Sequence, residues 1–323
     1  MVTIKEVAQH AGVSVATVSR YMNKKGYVSE AASKKIAQSI DELKYVPNEV
    51  ARSLFQKTSK LIGVIFPDIA NPYFPLVAKG IEEELIRNGL MMILANTSDS
   101  FDTLKQYVTT FNQNNVSGII TAVPIPDELV NRMTIVGIDR VYEGDFPKVL
   151  SDDYGGGQLI ADHILATPFD KLLILPGDLD IPSSAERFKG LTDKFKSCHI
   201  DYGVIELNSY NNQNMEASID KIEPYFSKYD TIVAANDYLA LHLIKRAQSM
   251  GIKIPEQLQI VGYDGIPFSN LVTPKLTTVV QSAYEIGQEA AKQMISLLNE
   301  ADKEQLETII MPVTFEKGAT LRK

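Results

Sequence analysis

From Leu61 onward, short apolar runs alternate with amphipathic stretches of helical period. Strands are predicted at Leu61–Phe66, Met91–Ala95, Gly118–Val123, Thr134–Ile138 and from Val149, then at Leu172–Leu175, Val204–Leu207, Thr231–Ala235 and Gln259–Tyr263. Helices are predicted at about 73–88, 103–114, 184–197, 214–228, 238–250 and 283–298. This alternation is typical of parallel sheets flanked by helices, and about ten strands fit two lobes better than one. The predicted fold of this part is a two-lobed α/β core.

Composition places the chain among folded globular proteins rather than disordered or membrane ones. Apolar residues make up 45% of its 323 residues and charged residues 22%. The single cysteine, Cys198, excludes an internal disulfide and any multi-cysteine metal site, and alone it is typical of a small buried side chain. No apolar run at the start is typical of a signal peptide, and none later has the ~18 uncharged residues of a membrane span. We therefore expect a cytoplasmic protein that needs no metal or cofactor.

Charge is distributed unevenly along the chain. Residues 1–60 hold ten Lys/Arg and five Asp/Glu, whereas the remainder holds 22 basic and 35 acidic residues. A basic head on an acidic body is the balance expected when only the head meets a polyanion. Charge alone does not say which polyanion that is.

The first 45 residues have the pattern of three short helices. Thr3 and Glu6 fit a capping box at the start of the first helix. Gly12 suits a tight turn, after which Ser14 is placed to cap a second helix through about Met22. Ser29 is placed to cap a third helix that runs to about Leu43. The expected fold of this head is all-α.

One face of the second helix has the side chains expected of a DNA reader. Val15, Ala16 and Arg20 lie opposite its apolar face, where small residues allow a close approach to base edges and an arginine can pair with guanine. Thr17, Ser19 and Asn23 can bond phosphates. Helix, glycine turn and helix also occur in many domains that bind no DNA, so the pattern alone is a weak indication.

Residues 46–60 join this head to the α/β part. Pro47 suits the first position of a helix, and Asn48 to Gln56 read as about two turns. A helix this short is marginal in water, so one hypothesis is that it folds on DNA, with Leu54 as an apolar wedge in the minor groove and Arg52 and Lys57 near phosphates. The alternative is an ordinary charged linker helix.

Polar and aromatic side chains follow the predicted strands where they end. Carboxyl ends of parallel strands gather at one edge of a sheet, where ligands of such folds bind. Each residue taken alone fits a helix cap or a surface pair better than a ligand site, but together they favour a cleft for a small polyhydroxylated ligand. The predicted effector-binding set is Asn71, Tyr73, Phe74, Asp139, Arg140, Arg187, Asn236, Asp264 and Gln281.

Two sets of motifs resemble a known family. The head motifs are Val2–Ala8, Ala11–Arg20, Asn23, Val28-Ser29, Leu43–Asn48 and Ala51–Leu54; the body motifs are Asn71–Phe74, Ile138–Arg140, Ala185–Arg187, Asn236-Asp237, Gly262–Gly265 and Gln281. Together they resemble the LacI/GalR repressors, and within that family the chain looks most like the ribose operon repressors.

The resemblance implies how DNA is bound. The second helix enters the major groove, where Val15, Ala16 and Arg20 read bases, and Leu54 intercalates from the hinge helix. Symmetric insertion requires a homodimer and a near-palindromic operator. The implied DNA-binding set is Thr3, Ser14, Val15, Ala16, Thr17, Ser19, Arg20, Asn23, Tyr45, Asn48, Ala51, Arg52 and Leu54.

The resemblance also implies a domain organisation. Residues 1–45 form a helix-turn-helix head, 46–60 the hinge, and 61–323 a periplasmic-binding-protein-like core. The first lobe is expected at about 61–151 and 282–310, and the second at about 152–281 with the C-terminal strand. Helix 73–88 is expected at the dimer contact. Tyr73 stands where a ribose binder often has phenylalanine, and Tyr210 is the candidate aromatic residue from the second lobe.

The implied function is that of a repressor of a sugar operon, released from its operator by a small sugar, D-ribose being the expected one. Alternative effectors are a sugar phosphate, a nucleoside or a protein corepressor, because Arg140 and Arg187 could serve a phosphate. A transport receptor would share the cleft but not the head. An enzyme is not expected: no nucleophile elbow, phosphate loop or zinc-spaced histidine pair is present, and Gly155-Gly156-Gly157, placed just before a helix, lacks dinucleotide-site spacing.

Overall fold

The computed structural model describes residues 2–23, 26–46, 59–130, 133–207, 214–299 and 307–323. The chain divides into two compact units, Met1–Ser59 and Lys60–Lys323. The predicted hinge residues Asn48, Ala51, Arg52 and Leu54 lie outside the described residues, as does Tyr210. Across the described ranges, no helix has the length and apolar character needed to cross a membrane.

The first unit contains three helices, each with a start that its sequence explains. They are α1 (Ile4–Ala11), α2 (Val15–Asn23) and α3 (Glu30–Glu42). The capping box of Thr3 and Glu6 is formed, and Ser29 Oγ accepts from the backbone N–H of Ala32. Gly12 ends α1 in the left-handed region at φ 66°. The core of this unit consists of Val7, Ala8, Ala11, Val18 and Ile36.

The second unit contains two six-stranded sheets. Its strands are β1 (Leu61–Phe66), β2 (Met91–Asn96), β3 (Gly118–Thr121), β4 (Thr134–Ile138), β5 (Lys148–Ser151), β6 (Leu172–Ile174), β7 (Tyr202–Val204), β8 (Thr231–Val233), β9 (Gln259–Asp264), β10 (Thr277–Gln281), β11 (Ile309–Met311) and β12 (Val313–Glu316). The first sheet has the order β11-β5-β4-β3-β1-β2 and is all parallel. The second has the order β12-β10-β9-β8-β6-β7, with only β12 antiparallel.

Helices cover both faces of each sheet. They are α4 (Tyr73–Arg87), α5 (Phe101–Gln113), the short α6 (Asp127–Val130), α7 (Asp153–Leu165), α8 (Pro182–Ser197), α9 (Met215–Ile222), α10 (Asp237–Ser249) and α11 (Ala283–Leu298). In the first lobe α4 and α11 lie on one face and α5 on the other. In the second lobe α7 and α8 lie on one face, and α9 and α10 on the other. The predicted two-lobed α/β fold is confirmed.

The chain passes between the two sheets at three points. These are Ser151 to Asp153, Gln281 to Ala283, and Met311 to Val313. Since β5 and β10 both end at these crossings, their last residues lie at the junction of the lobes. Any side chain there is placed to contact both halves of a ligand site.

In each lobe, two helices pack closely against each other, and each of the two has a glycine at the contact. A Cβ on Gly80 of α4 would overlap the backbone of Tyr284 in α11, and one on Gly287 would overlap the backbone of Val77. Gly157 of α7 and Gly190 of α8 make the equivalent close approach in the second lobe. Only glycine lets two helix backbones lie this close. The sequence repeats accordingly, as Tyr284-x-x-Gly287-Gln288 and Tyr154-x-x-Gly157-Gln158.

Three predicted elements are wrong in position. The strand expected at Val204–Leu207 is Tyr202–Val204, which pairs with β6. The helix expected at 214–228 ends at Ile222, because Pro224 cannot continue it and a 3₁₀ turn follows. Gly155 to Gly157 do not precede a helix but lie inside α7, which begins at Asp153 and is capped by the Asp152 side chain.

Candidate functional site

The outward face of α2 carries the residues predicted to read bases. Val18 is fully buried, whereas Val15 is 40% exposed, and Ala16 and Arg20 are also exposed. Ser14 Oγ accepts from the N–H of Thr17 and lies 2.8 Å from its hydroxyl. The apolar side of α2 is therefore used by the head core, and its opposite side remains available to a duplex.

The other predicted head residues have local structural partners. Thr3 is engaged in the capping box with Glu6, and Asn23 Nδ2 donates to Ser19 Oγ at 3.2 Å. Tyr45 is partly buried against the head core. Their contacts with DNA stay predictions.

In the second unit, Gln281 joins the two lobes by side-chain hydrogen bonds. Its Oε1 accepts from the Ser151 hydroxyl at 2.6 Å and lies 3.5 Å from the Tyr73 hydroxyl. Its Nε2 donates to Asp264 Oδ1 at 2.8 Å. Tyr73, Ser151, Asp264 and Gln281 are all buried. The amide therefore connects the start of α4 and the end of β5 in one lobe to the end of β9 in the other.

Arg187 forms the centre of a second cluster. Its guanidinium donates to Asp153 Oδ1 through Nη2 at 2.9 Å and to the Ala235 carbonyl at 2.8 Å. Its guanidinium carbon also lies over the Tyr263 ring, 3.4 Å from the ring centroid. Tyr142, from the first lobe, donates to Asp153 Oδ2 at 3.1 Å. Although burial disfavours the charged form, the Asp153 carboxylate raises the pKa of Arg187.

Arg140 and Phe74 form the first-lobe side of the site. The Arg140 guanidinium carbon lies 5.9 Å from the centroid of the Phe74 ring. Arg140 Nη1 lies 3.1 Å from Asp99 Oδ1, and Nε lies 3.8 Å from Asp139 Oδ2. Asp139 itself has φ 53°, which is a left-handed conformation that non-glycine residues adopt at an energetic cost.

Two of the buried carboxyl groups are held away from their ordinary ionisation. Burial raises the pKa of Asp264 to about 8, although nearby Arg187 opposes the rise. Burial likewise raises the pKa of Asp139 to about 6 against the attraction of Arg140. Asp264 also has a left-handed φ of 113°. A carboxyl group that is both strained and poorly solvated is typical of a functional position.

Each of the two predicted asparagines accepts a backbone hydrogen bond near the start of a helix. Asn71 Oδ1 accepts from the N–H of Tyr73 at the beginning of α4. Asn236 Oδ1 accepts from the N–H of Leu239 and caps α10. In each case the amide oxygen is engaged, so the Nδ2 group is the part of the side chain left to donate to a ligand. Nearby Asp237 is fully buried and anchors Ile266 and Ser269.

Four residues of this site were not predicted as ligand-binding. Ser151 and Asp153 entered the predictions only as the boundary between the lobes, and Tyr142 and Tyr263 were given no ligand-binding role. For Ser151 and Asp153, the available signal was their position directly after a predicted strand, as for the other polar residues at strand ends. The pairing of Asp153 with Arg187 joins residues 34 positions apart and needs the packed structure to be seen.

The cluster offers fixed donors and acceptors beside aromatic rings. Guanidinium, amide and carboxyl groups point into one junction, and Phe74 and Tyr73 supply apolar faces. This mixture suits hydroxyl groups and the C–H face of a small sugar. Among the residues that the structure describes, no three His, Cys, Asp or Glu side chains are grouped so as to hold a metal ion.

Comparison with known proteins agrees with both halves of the chain. Residues 3–48 match the model of bacterial regulatory proteins of the lacI family, and residues 172–321 match the periplasmic binding protein-like domain. The "Ribose operon repressor" of Bacillus subtilis (strain 168) is 40% identical over 326 residues, covering 100% of this chain and 99% of that protein.

Two solved structures share the fold. The lac repressor dimer bound to operator and the anti-inducer ONPF matches with a TM-score of 0.87 at 23% identity, covering 99% of this chain and 98% of that one. A LacI family regulator from Enterococcus faecium with bound ribose matches with a TM-score of 0.72 at 26% identity, covering 80% and 98%. The chain belongs to the lacI family of bacterial regulatory proteins and is a DNA-binding transcriptional repressor.

Proposed function

We propose that this repressor controls a ribose-utilisation operon and that D-ribose binds at the lobe junction to release it from DNA. The observation that carries this proposal is the Gln281 chain, in which one amide bonds Ser151 of the first lobe and Asp264 of the second. A small neutral sugar placed there meets both lobes at once. Ligand binding then changes the relative positions of the lobes, which couples the cleft to the operator reciprocally.

The charges of the cleft favour a neutral sugar over a sugar phosphate. Arg140 is paired with Asp99 and Asp139, and Arg187 with Asp153. Asp264 lies near Arg187 as well, although burial keeps it largely protonated at neutral pH. A phosphate would have to displace these carboxylates or lie next to them, whereas hydroxyl groups can bond to both partners of each pair. The sugar-phosphate alternative therefore loses the two free cations on which it depended.

The relatives supply independent support for ribose. The Bacillus subtilis relative is a ribose operon repressor, and the Enterococcus faecium regulator holds ribose. Residues 61–323 then serve as the effector-binding core, with Asn71, Tyr73, Phe74, Asp139, Arg140, Arg187, Asn236, Asp264 and Gln281 as its ligand-binding set. The cleft acts as a binding site and not as a catalytic one.

For DNA we propose the head at 1–45 and the hinge at 46–60. Val15, Ala16 and Arg20 read base edges in the major groove, and Leu54 enters the minor groove. The repressor acts in the cytoplasm as a homodimer, and each head occupies half of a near-palindromic operator. The exposure of Val15 and Arg20 beside buried Val18 supports this orientation of α2.

Exposed apolar side chains support the dimer. In the first lobe Ile86, Met91 and Phe101 are 55–64% exposed and belong to α4, the edge strand β2 and α5. In the second lobe Leu271 is 76% exposed beside a groove of about 390 Å³. Large apolar side chains this exposed are typical of surfaces that a partner covers. We assign them to contact between two copies of the chain.

The effector is tested by thermal unfolding of the full chain with D-ribose, D-ribose 5-phosphate and ribonucleosides. A ligand bound only to the native state stabilises it by about 2.7 kcal/mol at a hundredfold excess over Kd. We expect an upward shift of Tm with D-ribose and none with the other compounds. A shift with a nucleoside or a sugar phosphate alone would overturn the choice of effector and leave the repressor assignment standing.

Operator binding is tested by measuring affinity for a near-palindromic duplex at several salt concentrations. Each phosphate contact adds about −0.9 to the slope of log K against log salt, so we expect a steep negative slope. Arg20→Ala is expected to weaken the free energy of operator binding by about 1–3 kcal/mol and to reduce the sequence preference at one base pair. Lys34→Ala, which removes an exposed cation from α3, is the matched control. Equal losses from both variants would contradict base reading by Arg20.

A further inference from the structure

The loop between β2 and α5 places one acidic side chain against the cleft. Ser98 and Asp99 have φ values of 51° and 55°, so two consecutive non-glycine residues adopt the left-handed conformation. Asp99 Oδ1 lies 3.1 Å from Arg140 Nη1. Each such residue is energetically unfavourable and persists only where surrounding contacts enforce it. Two in succession are therefore an unusual cost for a loop of four residues, 97–100.

Hydrogen bonds on both sides hold this loop in place. Asn96 Oδ1 accepts from the N–H of Ile69, and Asn96 Nδ2 donates to Ser98 Oγ. Thr97 donates through its hydroxyl to the Phe66 carbonyl at 3.3 Å. Ser100 then caps α5 by accepting from the N–H of Thr103. The residues on both sides of Asp99 are thus held by the fold.

Arg140 is positioned by the same kind of backbone. It follows Asp139, whose φ is 53°, at the turn after β4. The two strained segments come from strands that are not neighbours in the sheet, yet they bring Asp99 and Arg140 together. In the described residues, the ion-pair partners of Arg140 are Asp99 and Asp139. Asp139 belongs to the predicted ligand set, whereas Asp99 had no assigned role.

We propose that Asp99 is a specificity-determining residue that excludes phosphorylated sugars from the cleft. The Arg140 side chain is 24% exposed and that of Asp99 is 56% exposed, so both face the solvent from which a ligand arrives. By engaging Nη1, Asp99 occupies the part of the guanidinium that would otherwise bind a phosphate oxygen. Its own charge repels a dianion in addition. This inference rests on the proposed function of the cleft as a sugar site.

A neutral sugar is little affected by the same carboxylate. Its hydroxyl groups carry no charge to be repelled, and they can accept from Arg140 or donate to Asp139 with Asp99 in place. Asp99 therefore discriminates by charge and not by size. The discrimination matters to a sensor of free sugar, because the phosphorylated form differs from it by one group only.

The test compares wild type with Asp99→Asn by calorimetric titration with D-ribose and with D-ribose 5-phosphate. Asparagine preserves the shape of the side chain and its ability to accept from Arg140 but removes the charge. We expect the affinity of Asp99→Asn for D-ribose 5-phosphate to rise roughly tenfold, with D-ribose affinity changed less than about threefold. The gain should shrink at high salt, because the removed repulsion is partly screened.

Asp102→Asn is the matched control, since it removes an equal charge from the exposed first turn of α5. D-ribose binding by wild type and both variants shows that all three are folded. An unchanged affinity of Asp99→Asn for the phosphate, or an equal gain from Asp102→Asn, would overturn the role of Asp99. Failure of the wild type to bind D-ribose would overturn the proposed function itself, and the two results are distinct.

Discussion

Replacing Arg187 with methionine is expected to abolish the D-ribose-dependent shift of Tm and to lower the free energy of unfolding by about 3–5 kcal/mol. Asp153 is 2% exposed, and its Oδ1 is bonded to Arg187. Removal of the guanidinium leaves that carboxylate buried with the Tyr142 hydroxyl as its remaining side-chain hydrogen-bond donor among the described residues. A buried charge without its partner is far more costly than the pair is stabilising.

The two losses can be separated with a second variant. Asp153→Asn combined with Arg187→Met removes the orphaned charge, so we expect most of the stability to return while ligand binding stays absent. Arg246→Met is the matched control, because Arg246 also pairs with carboxylates, including Glu216 and Asp220, but at the surface. It should leave ligand binding unchanged and reduce stability only slightly. Normal D-ribose binding by Arg187→Met would contradict the placement of Arg187 in the site.

The architecture of this protein follows closely from hydrophobic periodicity. Buried parallel strands such as Leu61–Phe66 and Gln259–Asp264 consist mainly of apolar residues, so their alternation with amphipathic helices could be predicted from the sequence. The edge strand β7 was misplaced because its burial is only partial and its sequence Tyr202-Gly203-Val204 has no apolar run. Strand position at an edge is set by pairing with β6 rather than by local pattern.

The glycines show why helix packing was harder to predict. Gly155 to Gly157 lie inside a helix, where glycine is normally unfavourable. Two of them are required by close neighbours: Gly156 faces the Tyr263 ring and Gly157 faces the backbone of α8. Those neighbours are distant in sequence, so local propensity predicted a loop before the helix. The misreading arose because tertiary contact outweighed intrinsic preference.

The site was predicted in part for the same reason. Polar residues at strand ends could be found from the sequence, since parallel strands bring their carboxyl ends together. Asp99 and Tyr142 could not, because they lie in loops whose course depends on left-handed residues and on distant partners. The sequence therefore predicted the polar residues at the strand ends, whereas their ionic and hydrogen-bonding partners, such as Asp99 and Tyr142, were found only in the structure.

Several buried carboxyl groups in and beside this cleft lower the stability of the folded state. Asp139, Asp237 and Asp264 are carboxyl groups whose pKa values burial raises to about 6, about 6 and about 8. Hydrogen bonds from Ile266, Ser269 and Thr278 partly offset the unfavourable burial of the Asp237 carboxyl group. Within the described part of the chain, Asp264 accepts one side-chain hydrogen bond, from Gln281, and its backbone is strained. An ionisable group kept under such conditions lowers stability, and a residue with that effect is typical of a functional position.

Asp264→Asn is accordingly expected to stabilise the ligand-free protein at pH 8 while abolishing its response to D-ribose. The pKa of Asp264 is about 8 in the folded state against an ordinary value of 3.8. Between these values the folded state holds a proton that the unfolded state has lost, so the stability of the wild type falls as pH rises towards 8. The fall is about 1.4 kcal/mol per pH unit for one such group. Asparagine cannot ionise and removes this contribution.

The measurement is the free energy of unfolding of wild type and Asp264→Asn from pH 4 to pH 8.5. Taking the difference cancels the contributions of histidines and other groups that titrate in both proteins. We expect the difference to be small near pH 4, to grow in favour of the variant with rising pH, and to level off above pH 8. A difference independent of pH, or a less stable variant at pH 8, would show that Asp264 is ionised without cost in the folded repressor. The Gln281 amide would then suffice to hold it charged.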